Sequence, residues 1–177
     1  MTRVLLVLCL LFCCNAYSHP HTNVKQQALL SVGLDKVALT IRVVPSFDEG
    51  AEIFDTIDSN KNGVVSDKEA NAFSTKVMNK VRLIQGDKRV KLNLKSVHIP
   101  SMIQVSSGLG VIELKADGKL SLKKSTTDKV TFSVNYEDLS HDWFIQPFYF
   151  KDLTTHFKHI EINRRHHGTF LEMTLAP

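Results

Sequence analysis

From residue 81 to its C-terminus this chain never sustains a helical repeat of apolar residues. It breaks instead into short strand-like runs divided by turn signals. The runs fall at 81–85, 90–98, 110–115, 119–123, 129–136, 145–150, 158–163 and 169–175, with turns at Gly86-Asp87, Asp117-Gly118 and His167-Gly168. Two more precede them, 24–31 and 36–44, joined at Gly33-Leu34-Asp35. In the second, Val37, Leu39, Ile41 and Val43 alternate with Ala38, Thr40 and Arg42, the period of a strand with one buried face, and Pro45 ends it. Many short strands at regular spacing predict a mainly β fold: an antiparallel β-sandwich, Ig-like, over residues 19–177 as one domain.

Residues 46–80 interrupt this pattern with a helical one. Ser46 with Glu49 makes a capping box, and Ala51, Ile53, Phe54 and Ile57 recur at helical spacing. Ser66 with Glu69 repeats the box, ahead of Ala70, Phe73, Val77 and Met78. Between the two helices lies D-x-N-x-N-G-x-x-S-x-x-E, starting at Asp58. A hard cation such as Ca2+ takes six to eight oxygens. Asp58, Asn60, Asn62, the backbone carbonyl of Val64, Ser66 (through a water) and the bidentate carboxylate of Glu69 supply them at positions 1, 3, 5, 7, 9 and 12. Gly63 stands where the chain must turn sharply, and Val65 is the apolar residue expected to face inward. The segment resembles a single EF-hand. Only Asp58 and Glu69 bring negative charge, so the expected dissociation constant is on the order of 10⁻⁴ to 10⁻³ M.

Arg3, an apolar run from 4 to 14, and Ala16-Tyr17-Ser18 have the order of a signal peptide, cleaved after Ser18 to leave 19–177. The apolar run is too short to span a bilayer, so no membrane span is expected in the mature chain. All three cysteines, Cys9, Cys13 and Cys14, fall in the leader, which removes disulfides and thiol chemistry from the remainder. The formal charge is +4, or +3 without Arg3, with bases and acids interspersed. That balance gives no basic stripe for nucleic acid.

The eight histidines suggest a second chemistry. After cleavage His19 carries a free amine and, with His21 nearby, can grip copper or nickel. Pro20 lacks the amide proton that the usual N-terminal copper chelate gives up. His156 and His159, three apart, would share a metal only if a helical turn surrounded Thr155. His166 and His167 stand at an expected hairpin tip beside Arg164 and Arg165. The aromatic run Trp143, Phe144, Phe148, Tyr149 and Phe150 predicts a strand buried from both sides, or else a docking surface for an envelope protein. Ser107-Gly108-Leu109-Gly110 matches neither a phosphate loop nor a nucleophile elbow, and is expected to be a plain loop. No order of serine, histidine and aspartate singles out a triad.

The succession of Ser18-His19-Pro20, a strand pair, one calcium loop and then sheet resembles the extracytoplasmic region of bacterial membrane proteins of hydrogenase or urease nickel-accessory type. The resemblance implies the same architecture and a periplasmic setting. The expected function is that of an exported, non-enzymatic calcium-binding protein, with transition-metal handling or partner docking as the alternative.

Overall fold

The computed structural model describes residues 24–166 and 168–177. The expected leader with its cysteines, His19, His21 and His167 lie outside them. The described residues form ten strands, β1 (Lys25–Val32), β2 (Lys36–Val44), β3 (Val81–Gln85), β4 (Lys88–Arg89), β5 (Leu92–His98), β6 (Ile112–Lys119), β7 (Asp128–Val134), β8 (Trp143–Tyr149), β9 (His159–Arg165) and β10 (Phe170–Ala176). Four helices accompany them: α1 (Gly50–Ile57), α2 (Asp67–Asn79), α3 (Met102–Ser106) and α4 (Lys151–His156). None is long and apolar enough to cross a membrane.

The strands form two five-stranded sheets, ordered β5-β6-β2-β1-β8 and β4-β3-β7-β10-β9. Alternation drives both. In β2 Val37, Leu39, Ile41 and Val43 are buried, as the sequence pattern predicts, and Ala28, Leu30 and Val32 do the same in β1. Val130, Phe132 and Val134 of β7 and Leu171, Met173 and Leu175 of β10 answer from the second sheet. The two inward faces contribute to one apolar cluster that also takes in Ile53, Ile57, Phe73 and Val77 of α1 and α2. The helical pair thus joins β2, the central strand of one sheet, to β3 of the other, and is pinned by the core it helps to close.

Three expectations are corrected. First, the sheets are not wholly antiparallel: β1 and β8 pair parallel, Gln26 with Trp143 through Val32 with Tyr149. A partner more than a hundred residues away leaves no local signal. Second, the aromatic run is buried on one face only. Trp143 and Ile145 point inward, whereas Phe144 (55% exposed) and Phe148 (47%) lie on the opposite face of the strand, open to solvent among the described residues.

Third, Asp117-Gly118 is not a turn, and no separate strand occupies 119–123. Both residues lie within β6, paired to β2 on one side and β5 on the other. Gly118 is there for close approach: a Cβ would sit 2.9 Å from the Lys91 carbonyl oxygen. Ser107-Gly108-Leu109-Gly110 is a loop, as expected, and it follows a helix, α3, that the sequence reading lacked. Gly108 (φ +72°), Leu109 and Gly110 donate to the carbonyls of Val105 and Gln104, satisfying the helix's last acceptors. The helix this loop ends packs against α1. Gly50 opens α1 directly against α3, where a Cβ would overlap the Val105 carbonyl.

Candidate metal centre

The loop between α1 and α2 is folded around its own acceptors. α1 ends at Ile57, leaving Asp58 as its C-terminal cap and burying it to 1% exposure. The Asp58 carboxylate draws the chain back: Oδ1 accepts from Asn62 N–H at 3.3 Å and Oδ2 from Gly63 N–H at 2.7 Å. Asn60 Oδ1 accepts from Asn62 N–H (3.0 Å) and Asn62 Oδ1 from Val64 N–H (2.9 Å). These short-range bonds make successive Asx turns. Lys61 (φ 56°) and Gly63 (φ 83°) take the left-handed backbone that such a curl demands, at the position where glycine was expected. Val64 turns its side chain to solvent, and Val65 packs partly buried against the core.

Ser66 and Glu69 close the loop and start α2 as a reciprocal capping box. Ser66 Oγ accepts from Glu69 N–H, while Glu69 Oε2 accepts from Ser66 N–H (2.9 Å) and from Ser66 Oγ–H (2.7 Å). Glu69 Oε1 reaches across the loop to Ser59 Oγ–H (2.9 Å) and Asn60 N–H (3.2 Å). The two carboxylates therefore belong to one hydrogen-bonded ring, with Glu69 only 7% exposed. The donors from Ser66, then Ser59 and Asn60, hold the Glu69 carboxyl down at about 2, against a weaker upward push from burial.

All six sequence-predicted residues lie in this ring or on its backbone, and in donor type they fit a hard cation. Counting acceptor positions refines the fit. Asp58 spends one position on each oxygen, and Asn60 and Asn62 one each, so every one of them keeps a lone pair. Glu69 has about four positions and four donors already on them. To ligate through both oxygens it must release some. The bonds to Ser59 and Asn60 are the ones that tie it to the loop rather than to its own helix cap.

The pH dependence follows from the sign of the Glu69 shift. Its pKa is depressed in the fold, so its contribution is fully present above the ordinary value of 4.5 and is lost as pH falls through about 2. The stability difference between the parent and Glu69→Gln, measured by urea denaturation in chelator, should hold constant above pH 4.5 and close towards pH 2.

Behind Glu69 lies a cleft of about 290 Å3, bounded by Ser59, Glu69, Phe73 and Lys76 on one side and Tyr136 and Asp138 on the other. Tyr136 meets Phe73 edge to face, ring centres 6.2 Å apart, and burial, followed by the Asp138 charge, pushes its hydroxyl up to about 12. Its carbonyl accepts the Trp143 indole N–H at 2.8 Å. α2 is thereby connected to β8 through two aromatic residues.

The described histidines do not converge on a common point. A helical turn does surround Thr155, as metal sharing would require, but His156 spends Nδ1 on the Asp152 carbonyl (2.8 Å) and His159 starts β9. His141 sits 3.4 Å from Glu137. Among the described residues no three of histidine, cysteine, aspartate and glutamate gather where a metal could be held. The Asp58–Glu69 loop brings only two carboxylates, and its other oxygens are those of amides, hydroxyls and backbone. Compared with protein-family models the chain matches none, and a search of curated proteins finds no match.

Proposed function

We propose that this chain is an exported, non-enzymatic calcium-binding protein: one domain after a leader at 1–18, an Ig-like sandwich carrying a single EF-hand whose ion fixes α1 and α2 to each other. The observation that carries this is the closed ring from Asp58 to Glu69, with spare lone pairs on Asp58, Asn60 and Asn62 all supplied within one curl of backbone. Asp58, Asn60, Asn62, the Val64 carbonyl and Glu69 would hold the ion directly, and Ser66 through a water. The ion would supply a charge centre that replaces the Ser59 and Asn60 donors on Glu69. Export suits the low expected affinity, since extracellular calcium is in the millimolar range that such a loop can use.

At a tenfold excess of calcium over its dissociation constant, linkage adds about 1.4 kcal/mol to stability. The melting temperature should then rise by a few degrees in calcium and not in magnesium, whose demand for rigid octahedral geometry this loop does not meet. Ser59→Ala gives a sharper test, because it removes a donor that competes for Glu69. It should tighten calcium binding by roughly threefold to tenfold, since hydrogen bonds to charged groups are the stronger kind. A calcium-independent melting temperature in the parent would refute the proposal.

A further inference from the structure

Two five-stranded sheets have four edges, and three of them are blunted. β4 is two residues long, too short to template a partner. β5 is broken by a register shift between Leu94 and Ser96, a bulge that takes Lys95 out of the ladder. On β8, Phe150 N–H bonds the Val32 carbonyl, so in this parallel ladder the even positions face β1 and the odd ones face outward. Pro147 is therefore at an outward position, where its missing N–H removes a donor from the free edge. The same edge is capped at its start by the β9–β10 turn, since a Cβ on Gly168 would overlap the outward carbonyl of Trp143.

β9 is neither short, bulged nor interrupted by proline, and its inward face carries a charge only near its end, at Arg164. Its seven residues pair with β10 in unbroken register from His159 with Ala176 to Arg165 with Phe170, without proline or bulge. Among the described residues no strand takes its other edge. All its residues are exposed except Ile160, which is half-buried. Register against the buried Leu171, Met173 and Leu175 shows that Ile160, Ile162 and Arg164 continue the inward face, an apolar row that stops short with Ile162 uncovered. Lys158, Arg164 and Arg165 against the single carboxylate Glu161 make the edge cationic. Arg165 lies 3.9 Å from Glu172 and over the Phe170 ring, leaving much of its guanidinium in solvent.

We propose that β9 receives an extended, acidic polypeptide segment as an added strand, with apolar residues at alternate positions laid over Ile160 and Ile162 and carboxylates near Arg164 and Arg165. Backbone pairing supplies the docking, and alternate side chains and charge supply the choice of partner. A second copy is a poor occupant. Antiparallel self-pairing about Ile162 sets Arg165 against His159 and Arg164 against Ile160 of the other strand, gathering four guanidinium groups along one seam that the two copies of Glu161 only partly offset.

The probe is an end-blocked decapeptide of alternating glutamate and valine, compared with its lysine–valine counterpart. Binding to the full chain is read by titration calorimetry, and the site by amide hydrogen exchange. The glutamate peptide should bind, weaken with salt, and protect amides of 159–165. Arg164→Glu combined with Arg165→Glu should weaken it at least about tenfold, as should Ile162→Lys, which places an inward charge on an edge. The lysine peptide tests charge with no change to the protein and should not bind. Equal binding of both peptides, or no protection at 159–165, would overturn the proposal. So would a concentration-dependent dimer of the parent that Ile162→Lys dissolves, since the edge would then belong to a second copy.

Discussion

Replacing Trp143 with alanine should lower stability by about 3–5 kcal/mol, the range for removing a large buried aromatic side chain. The chain's single tryptophan is 5% exposed on the inward face of β8, in register with the buried Gln26 of β1. Its indole N–H is the donor for the Tyr136 carbonyl, and its own carbonyl is covered by the turn at Gly168. Trp143→Phe should recover most of the packing but leave the Tyr136 carbonyl without that donor, at a cost of about 1–3 kcal/mol. Urea denaturation of the three proteins separates the two contributions. If Trp143→Ala left the midpoint unchanged, Trp143 would be no part of the core. A large loss also means that reduced partner binding in Trp143→Ala cannot by itself identify a docking surface there. The exposed Phe144 and Phe148 are the residues to change for that purpose.

Asp58→Ala should abolish calcium binding, weakening it on the order of a hundredfold or more, because it removes one of only two negative ligands. It also leaves the N–H groups of Asn62 and Gly63 without the acceptor that curls the loop, so the variant should be less stable than the parent even in chelator. Glu69→Gln should separate these effects. Glutamine can still accept from Ser66 N–H in a capping box, so α2 keeps its start while the ion loses its bidentate ligand. Equilibrium dialysis for calcium and amide exchange of α2 without it would distinguish the two variants. Calcium affinity in Asp58→Ala equal to that of the parent would remove Asp58 from the site.

The curl from Asp58 to Glu69 was legible in the sequence because its residues lie within a dozen consecutive positions and the backbone needs only local turns to bring them together. β2 was legible because Val37, Leu39, Ile41 and Val43 state their own period. What could not be read was whatever depends on distant chain. The parallel pairing of β1 with β8 joins segments more than a hundred residues apart, and whether Phe144 and Phe148 are covered depends on what packs over that face of the sheet rather than on β8 itself. Gly118 looked like a turn because a glycine that admits a distant carbonyl is indistinguishable, in one dimension, from a glycine that bends the chain. α3 and α4, at five and six residues, are too short to show a helical period. The full complement of donors on Glu69 was hidden as well, since Ser59 reads only as a position between ligands.

The central claim is that the ring from Asp58 to Glu69 holds one calcium ion. Calorimetric titration of the chelator-stripped protein with calcium, magnesium, nickel and copper in parallel tests it most directly. The expected result is one calcium per chain with a dissociation constant on the order of 10⁻⁴ to 10⁻³ M, absent in Asp58→Ala. No calcium binding at about ten times that concentration, or calcium binding that persists undiminished in Asp58→Ala, would contradict it.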